Sequence, residues 1–177
     1  PLFGEAFRNG QAGINRPAFT TDLVDRWIPA VPDIYERLTS SSARVADVGC
    51  GAGWSTIAVA RAFPRAKVIG FDADEASVED ARRNAAAEGV PARFEVRDAT
   101  AIAGEEPFDL VLILEALHDM SHPADVLRAL RRVLKPGGAV LIADEKVAER
   151  FHAPGDEIER LMYGWSIVHC LPVAMSE

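Results

Sequence analysis

The sequence predicts an α/β fold, a mostly parallel sheet with helices on both faces. Three observations carry this. From Arg44 onward, short apolar runs alternate with longer segments of helical period, the pattern of βαβ units. The first run leads directly into a glycine loop, Gly49-Cys50-Gly51-Ala52-Gly53. Phe108 to Leu114 is apolar almost throughout, as a strand covered on both faces must be.

The elements follow in order. Residues 1–43 read as a helical lead-in, with Leu23, Val24 and Trp27 on one side and Pro29 and Pro32 interrupting it. Ser40-Ser41-Ser42 is a linker. Residues 44–145 form the organised core. Arg44 to Val48 is a buried strand, and a helix runs from Trp54 to Phe63, where Pro64 stops it. Lys67 to Phe71 is the second strand. Asp74 is placed to cap the next helix, in which Val78, Ala81 and Ala85 share a face, Glu79 is spaced to pair with Arg83, and Gly89 supplies the stop. Arg93 to Val96 is a short third strand and Phe108 to Leu114 the fourth. Pro123 opens a helix whose apolar face is Val126, Leu127, Leu130, Val133 and Leu134, with His122 as its cap. Lys135-Pro136-Gly137-Gly138 ends it, and Ala139 to Ala143 is the fifth strand. Residues 146–177 contain a further helix around Ile158 to Cys170. The expected sheet order is 3-2-1-4-5. The chain starts at Pro1 and stops at Glu177 just after an apolar stretch, so an incomplete chain is expected.

Composition excludes several classes. The 177 residues carry 19 Lys+Arg against 27 Asp+Glu, a net charge of -8. A phosphate-tracking protein needs clustered cations, so no nucleic acid partner is expected. No apolar run approaches a membrane span, because Asp109 and Glu115 bracket the longest. Cys50 and Cys170 are the only cysteines, which fits a reducing cytoplasm. Disorder, collagen and coiled coil do not fit 49% hydrophobic and 26% charged residues.

The glycine loop between strand and helix lets backbone approach a ligand closely, a nucleotide-cofactor geometry. The dinucleotide fingerprint is incomplete: the frame from Gly49 puts Trp54 in the third glycine's place, and the frame from Gly51 puts Thr56 there. Asp72, some 20 residues on at the end of the second strand, is placed to accept both hydroxyls of a ribose. Its competing use as a helix cap falls better to Asp74. Asp98 could accept from an adenine amino group. Asp47, Asp72, Asp98 and Glu115 all lie at or near the carboxyl ends of strands, where such sheets bind ligands. Four carboxylates at one rim repel a diphosphate and attract a ligand carrying an ammonium and a sulfonium. Glu115 is the one of the four most open to a purely structural use.

These residues resemble the class I S-adenosylmethionine-dependent methyltransferases. Asp47-Val-Gly-Cys-Gly-Ala-Gly53 is similar to that family's first motif, Asp72 to its ribose-binding acid, Asp98-Ala99 to its adenine-contacting pair, and Phe108-Asp109-Leu-Val to its fourth-strand motif. Leu134-Lys-Pro-Gly-Gly138 resembles the usual lead into strand five. The motifs occur in order across residues 44–145. The resemblance implies a Rossmann-like three-layer sandwich and S-adenosylmethionine as cofactor, with Asp47 and Gly49 at its amino-acid end, Asp72 at the ribose and Asp98 with Ala99 at the adenine. Cys50, Gly51, Ala73 and Glu115 would line the same pocket. Ala6-Phe-Arg-Asn-Gly10 and Leu161-Met-Tyr-Gly-Trp-Ser166 are more loosely similar to a subgroup with an N-terminal winged-helix domain, absent from this sequence. A complete member has seven strands, so the resemblance implies a chain truncated after strand five.

Methyl transfer from a sulfonium is an in-line displacement with a neutral leaving group, and alignment does most of the work. An oxygen or nitrogen acceptor must still lose a proton. His118, in Leu117-His118-Asp119-Met120, is the candidate base, with a pocket-shaping loop histidine as the alternative. His152, Glu157 and His169 match no usual metal spacing, so no metal is expected. The expected function is methyl transfer to a small-molecule O or N acceptor in the cytoplasm. The alternatives are a non-catalytic S-adenosylmethionine-binding regulatory module and an NAD-dependent dehydrogenase. A small-molecule substrate is the expected partner, with a homodimer left open.

Overall fold

The structure, a computed structural model, describes residues 4–102 and 104–176. Pro1 and Glu177, on which the expectation of an incomplete chain rests, lie outside the described residues. The strands are β1 (Arg44–Val48), β2 (Lys67–Asp72), β3 (Arg93–Val96), β4 (Phe108–Leu114) and β5 (Leu134–Ala143). They form one all-parallel sheet in the order β3-β2-β1-β4-β5, as expected. The order reverses between β1 and β4, which opens a crevice beyond their carboxyl ends.

Side chains alternate across the sheet, and the two faces build two cores. Val45, Leu110 and Leu112 pack with Leu23, Ile34, Leu38 and Val59. These last four belong to a π-helical segment (Ala18–Trp27), α2 (Pro32–Ser40) and α3 (Trp54–Ala62). The π-helical segment continues directly from α1 (Glu5–Pro17). Ala46, Val111 and Ile113 pack on the other face with Val126 and Leu130 of α5 (Pro123–Arg132). A third cluster joins Ile57 of α3 to Val78, Ala81 and Ala85 of α4 (Glu75–Ala87). The lead-in residues Leu23, Val24 and Trp27 do share the first core.

Four local expectations are corrected. β5 begins at Leu134 rather than Ala139: Phe108 pairs with Leu134 and Leu110 with Ala139, so residues 135–138 bulge opposite Asp109. Leu127 is 37% exposed while Leu130 is fully buried, because α5 rests on the sheet through Val126, Ala129 and Leu130. Arg83 pairs with Asp80 rather than Glu79, the i,i−3 carboxylate. His122 occupies the cap position of α5 without a side-chain hydrogen bond. Asp74 caps α4 as expected, its carboxylate accepting from the Ser77 amide at 3.1 Å.

The helix expected around Ile158 to Cys170 is α6 (Glu157–Trp165), a π-helical turn (Ser166–Cys170) and α7 (Leu171–Ala174). A capping box starts it, Asp156 accepting from Glu159 N–H and the Glu159 carboxylate accepting from Asp156 N–H. It packs on α1, with Phe7 stacked against Trp165 at 6.1 Å and beside His169 at 4.7 Å. Among the described residues no helix is long and apolar enough to cross a membrane.

Candidate functional site

A cavity of about 550 Å³ opens beyond the carboxyl ends of β1, β2 and β4. The glycine loop, residues 71–74, residues 97–100 and residues 114–116 line it, and α1 covers it with Arg8, Gln11 and Asn15. Of the expected site residues, Gly49, Cys50, Gly51, Asp72, Ala73, Asp98, Ala99 and Glu115 line this one cavity. Asp47 and His118 are not among its lining residues.

The loop is held in shape from both sides. Gly49 has φ +73, and a Cβ there would sit 2.6 Å from that of Ala116. Only glycine lets the turn leave β1 this close to the chain leaving β4. Gly53 has φ +80, and its Cβ would meet Ala81 and Phe94 at 2.8 Å, so it sets how closely α3 approaches its neighbours. The Gly49 amide donates to the Phe71 carbonyl at 2.8 Å, tying the loop to β2.

Asp47, 1% exposed, accepts from the hydroxyls of Ser55 and Thr56, each at 2.6 Å through the same oxygen. Burial raises its pKa, and these two hydroxyl donors offset part of that shift. The side chain therefore fixes the start of α3 behind the loop rather than facing the cavity. Asp72 accepts from the Gly51 amide at 2.8 Å through one oxygen and from the Asp74 amide at 2.9 Å through the other. Burial pushes its carboxyl above the usual range. Each oxygen retains a lone-pair direction, so the carboxylate clamps the loop and still presents two acceptors to a diol. Asp98 is exposed and bonds the Thr100 amide at 2.8 Å and also the Thr100 hydroxyl, capping a 3₁₀ turn, Ala99–Ile102.

Glu115 carries the one positive φ of a non-glycine residue among the described ones, +52. Burial, then the carboxylates of Glu145 and Asp144, raise its pKa to about 7. A strained residue with a perturbed carboxyl in a cavity is a functional candidate on physical grounds. His118 lies alongside, its Nδ1 bonded to the Asp144 carboxylate and its Nε2 3.3 Å from Asp119 Oδ1.

The cavity is acidic. Asp72, Asp74, Asp80, Asp98, Glu115 and Asp119 line it against two cations, Arg8 and Arg97. Arg8 lies 3.6 Å from Asp80 and 3.8 Å from Asp74, and Arg97 bonds Glu95 at 2.5 Å and Glu105 at 2.6 Å. Both cations are thus occupied, leaving a potential that suits a cationic ligand and opposes a diphosphate. Sequence reasoning missed the contribution of α1. The signal was present: Arg8, Gln11, Ala12, Asn15 and Phe19 fall at helical spacing and would line one face. It also missed Asp119, the carboxylate that faces the cavity next to His118.

Fold and cavity together define a cofactor-binding α/β domain, and comparison with known proteins gives its family. The family described as "Methyltransferase domain" matches residues 39–168, and the chain belongs to it. A Pseudomonas putida protein named ubiquinone biosynthesis O-methyltransferase is 38% identical over 112 residues, covering 62% of this chain and 47% of that protein. The chain thus spans about half the length of the curated relatives it matches. The crystal structure of the YcgJ protein from Bacillus subtilis aligns with a TM-score of 0.54 at 32% identity, covering 64% of this chain and 49% of that one. The [4+2]-cyclase SpnF aligns with a TM-score of 0.56 at 28% identity, covering 65% and 44%.

Proposed function

We propose that this chain binds S-adenosylmethionine and transfers its methyl group to a small-molecule oxygen or nitrogen acceptor. The observation that carries the reading is the acidic cavity at the switch point of the sheet, floored by the glycine loop and by the Asp72 carboxylate that holds it. A sulfonium and an ammonium suit that charge, and the two acceptors of Asp72 suit a ribose diol. A dinucleotide would bring a diphosphate to a rim whose arginines are already paired, which disfavours the dehydrogenase alternative.

In this reading residues 44–145 are the cofactor-binding core. Gly49, Cys50, Gly51, Asp72 and Ala73 meet the amino-acid and ribose portions, and Asp98 with Ala99 meets the adenine. Asp47 acts at one remove, by fixing the loop. The bound cofactor supplies an electrophilic methyl group with a neutral leaving group. The chain aligns the acceptor and takes its proton. Glu115 and Asp119 face the space where that proton is lost. His118, bonded to Asp144 behind the cavity wall, shapes this region rather than meeting the acceptor directly. The name of the Pseudomonas putida relative supports an oxygen acceptor over a nitrogen one. The two unpaired cysteines are in keeping with a cytoplasmic location.

A second reading has its own support: SpnF is named as a cyclase, so the chain's likeness extends to a protein named for an activity other than methyl transfer. Incubating the chain with S-adenosylmethionine and panels of phenols, carboxylates and amines, with mass spectrometry of products, separates the two. A methylated product together with S-adenosylhomocysteine supports methyl transfer. Tight cofactor binding without S-adenosylhomocysteine from any acceptor class would instead favour a role in which the cofactor stays intact.

A further inference from the structure

We infer that His118, Asp119 and Cys170 form a binding site for a divalent cation of the zinc class, in the wall of the cavity where the C-terminal helix meets the loop after β4. One ligand atom from each residue lies within 4.8 Å of the other two. The donors are an imidazole nitrogen, a carboxylate oxygen and a sulfur. That set selects zinc or cobalt over magnesium or calcium, which take oxygen ligands.

The geometry of His118 is the second observation. A carboxylate only accepts, so the bond from His118 Nδ1 to Asp144 assigns that nitrogen the proton. With Nδ1 engaged there, Nε2 is the ring atom left to meet a ligand. This atom faces Asp119 Oδ1 at 3.3 Å, and that oxygen is buried without a hydrogen-bond partner. A divalent cation bound between these two atoms would satisfy the buried oxygen. Bonds of about 2.0–2.3 Å in a tetrahedral site set ligand atoms about 3.3–3.8 Å apart; His118 Nε2 and Asp119 Oδ1 are 3.3 Å apart, and the Cys170 sulfur lies within 4.8 Å of both residues' ligand atoms. The pairing of Asp144 with the far nitrogen is the outer-shell partner that metal-binding histidines usually have.

The local fold explains why Cys170 reaches the site. The π-helical turn Ser166–Cys170 widens the helix by one residue, and π turns recur at functional sites. It brings His169 Nε2 to 3.5 Å from Asp119 Oδ2 while its neighbour Cys170 joins the donor set. Metal binding would deprotonate the thiol, releasing one proton to solvent. Three protein ligands leave a fourth position open, and Asp119 is the ligand that lines the cavity.

The test does not depend on methyl transfer. The reduced, chelator-treated chain is titrated with zinc by calorimetry and with cobalt by absorbance, and S-adenosylhomocysteine binding is followed in parallel as a check on folding. One equivalent of metal and a thiolate-to-cobalt charge-transfer band are expected. Cys170→Ser should remove the band, Asp119→Asn should weaken zinc at least tenfold, and Asp144→Asn should weaken it about 10–100-fold. His152→Ala, at an exposed histidine outside the cluster, should change nothing. No stoichiometric zinc, a cobalt complex without the band, or binding unchanged by Cys170→Ser and Asp119→Asn would each overturn the site. The cobalt spectrum of the unmutated chain decides even if a variant fails to fold. Magnesium binding in place of zinc would also overturn it, pointing to the oxygen-rich group of Glu115, His118 and Asp144.

Discussion

Glu115 shows what a single position reveals about this site. Its carboxyl titrates at about 7 because burial and the neighbouring Glu145 and Asp144 penalise its charge, against an ordinary value of 4.5. A raised carboxyl contributes stability that is fully present below about pH 4.5 and is lost as pH rises through about 7. Glu115→Gln keeps the uncharged form, so its Tm should match the parent near pH 4.5 and exceed it by pH 8. A thermal unfolding series across that range checks the sign. Gly49 makes the opposite demand. A Cβ there meets Ala116 at 2.6 Å in a left-handed turn, so Gly49→Ala should cost about 2–4 kcal/mol and weaken cofactor binding with it. Denaturant unfolding with cofactor titration measures both.

Among the elements, α5 offers the sharpest contrast, because periodicity put Leu127 and Leu130 on the same apolar face and the structure separates them. Leu130→Ala should cost about 2–5 kcal/mol, whereas Leu127→Ala should cost less than about 1 kcal/mol. Chemical denaturation of the two variants decides. The contrast also shows what was legible. The strands β1, β2 and β4 were readable because buried parallel strands write near-continuous apolar runs between turn signals. The α4 cap was readable because Asp74 acts on a residue three positions away. The cavity residues Asp72, Asp98 and Glu115 were readable because strand ends mark themselves. What was not readable depends on neighbours distant in the chain. The bulge that starts β5 early is set by pairing with β4. Asp144, which bonds His118 Nδ1, comes from just after β5, and Cys170 comes from a helix some 50 residues on. Asp47 was read as a ligand because its motif position is local, while its bonds to Ser55 and Thr56 follow from how α3 leaves the loop.

In the whole molecule, the two chain-terminal helical segments close over one side of the cavity. α1 reaches across through Arg8, which pairs with Asp74 and Asp80, and Gln11 Nε2 lies 3.2 Å from His169 Nε2. Among the described residues the backbone hydrogen bonds at the ends of these helices stay within their own segments, so they should exchange amide hydrogens faster than β1 and β4. S-adenosylhomocysteine should slow exchange across residues 5–19 most, as hydrogen-exchange mass spectrometry would show. The central claim is narrower: the acidic cavity is an adenosyl-cofactor site held together by Asp72. Its most direct test is calorimetric titration of the chain with S-adenosylmethionine, S-adenosylhomocysteine and NAD, repeated with Asp72→Ala. Binding of both adenosyl compounds, none of NAD, and at least a tenfold loss in Asp72→Ala is the predicted result. Binding of NAD in their place, or adenosyl binding indifferent to Asp72→Ala, would contradict it.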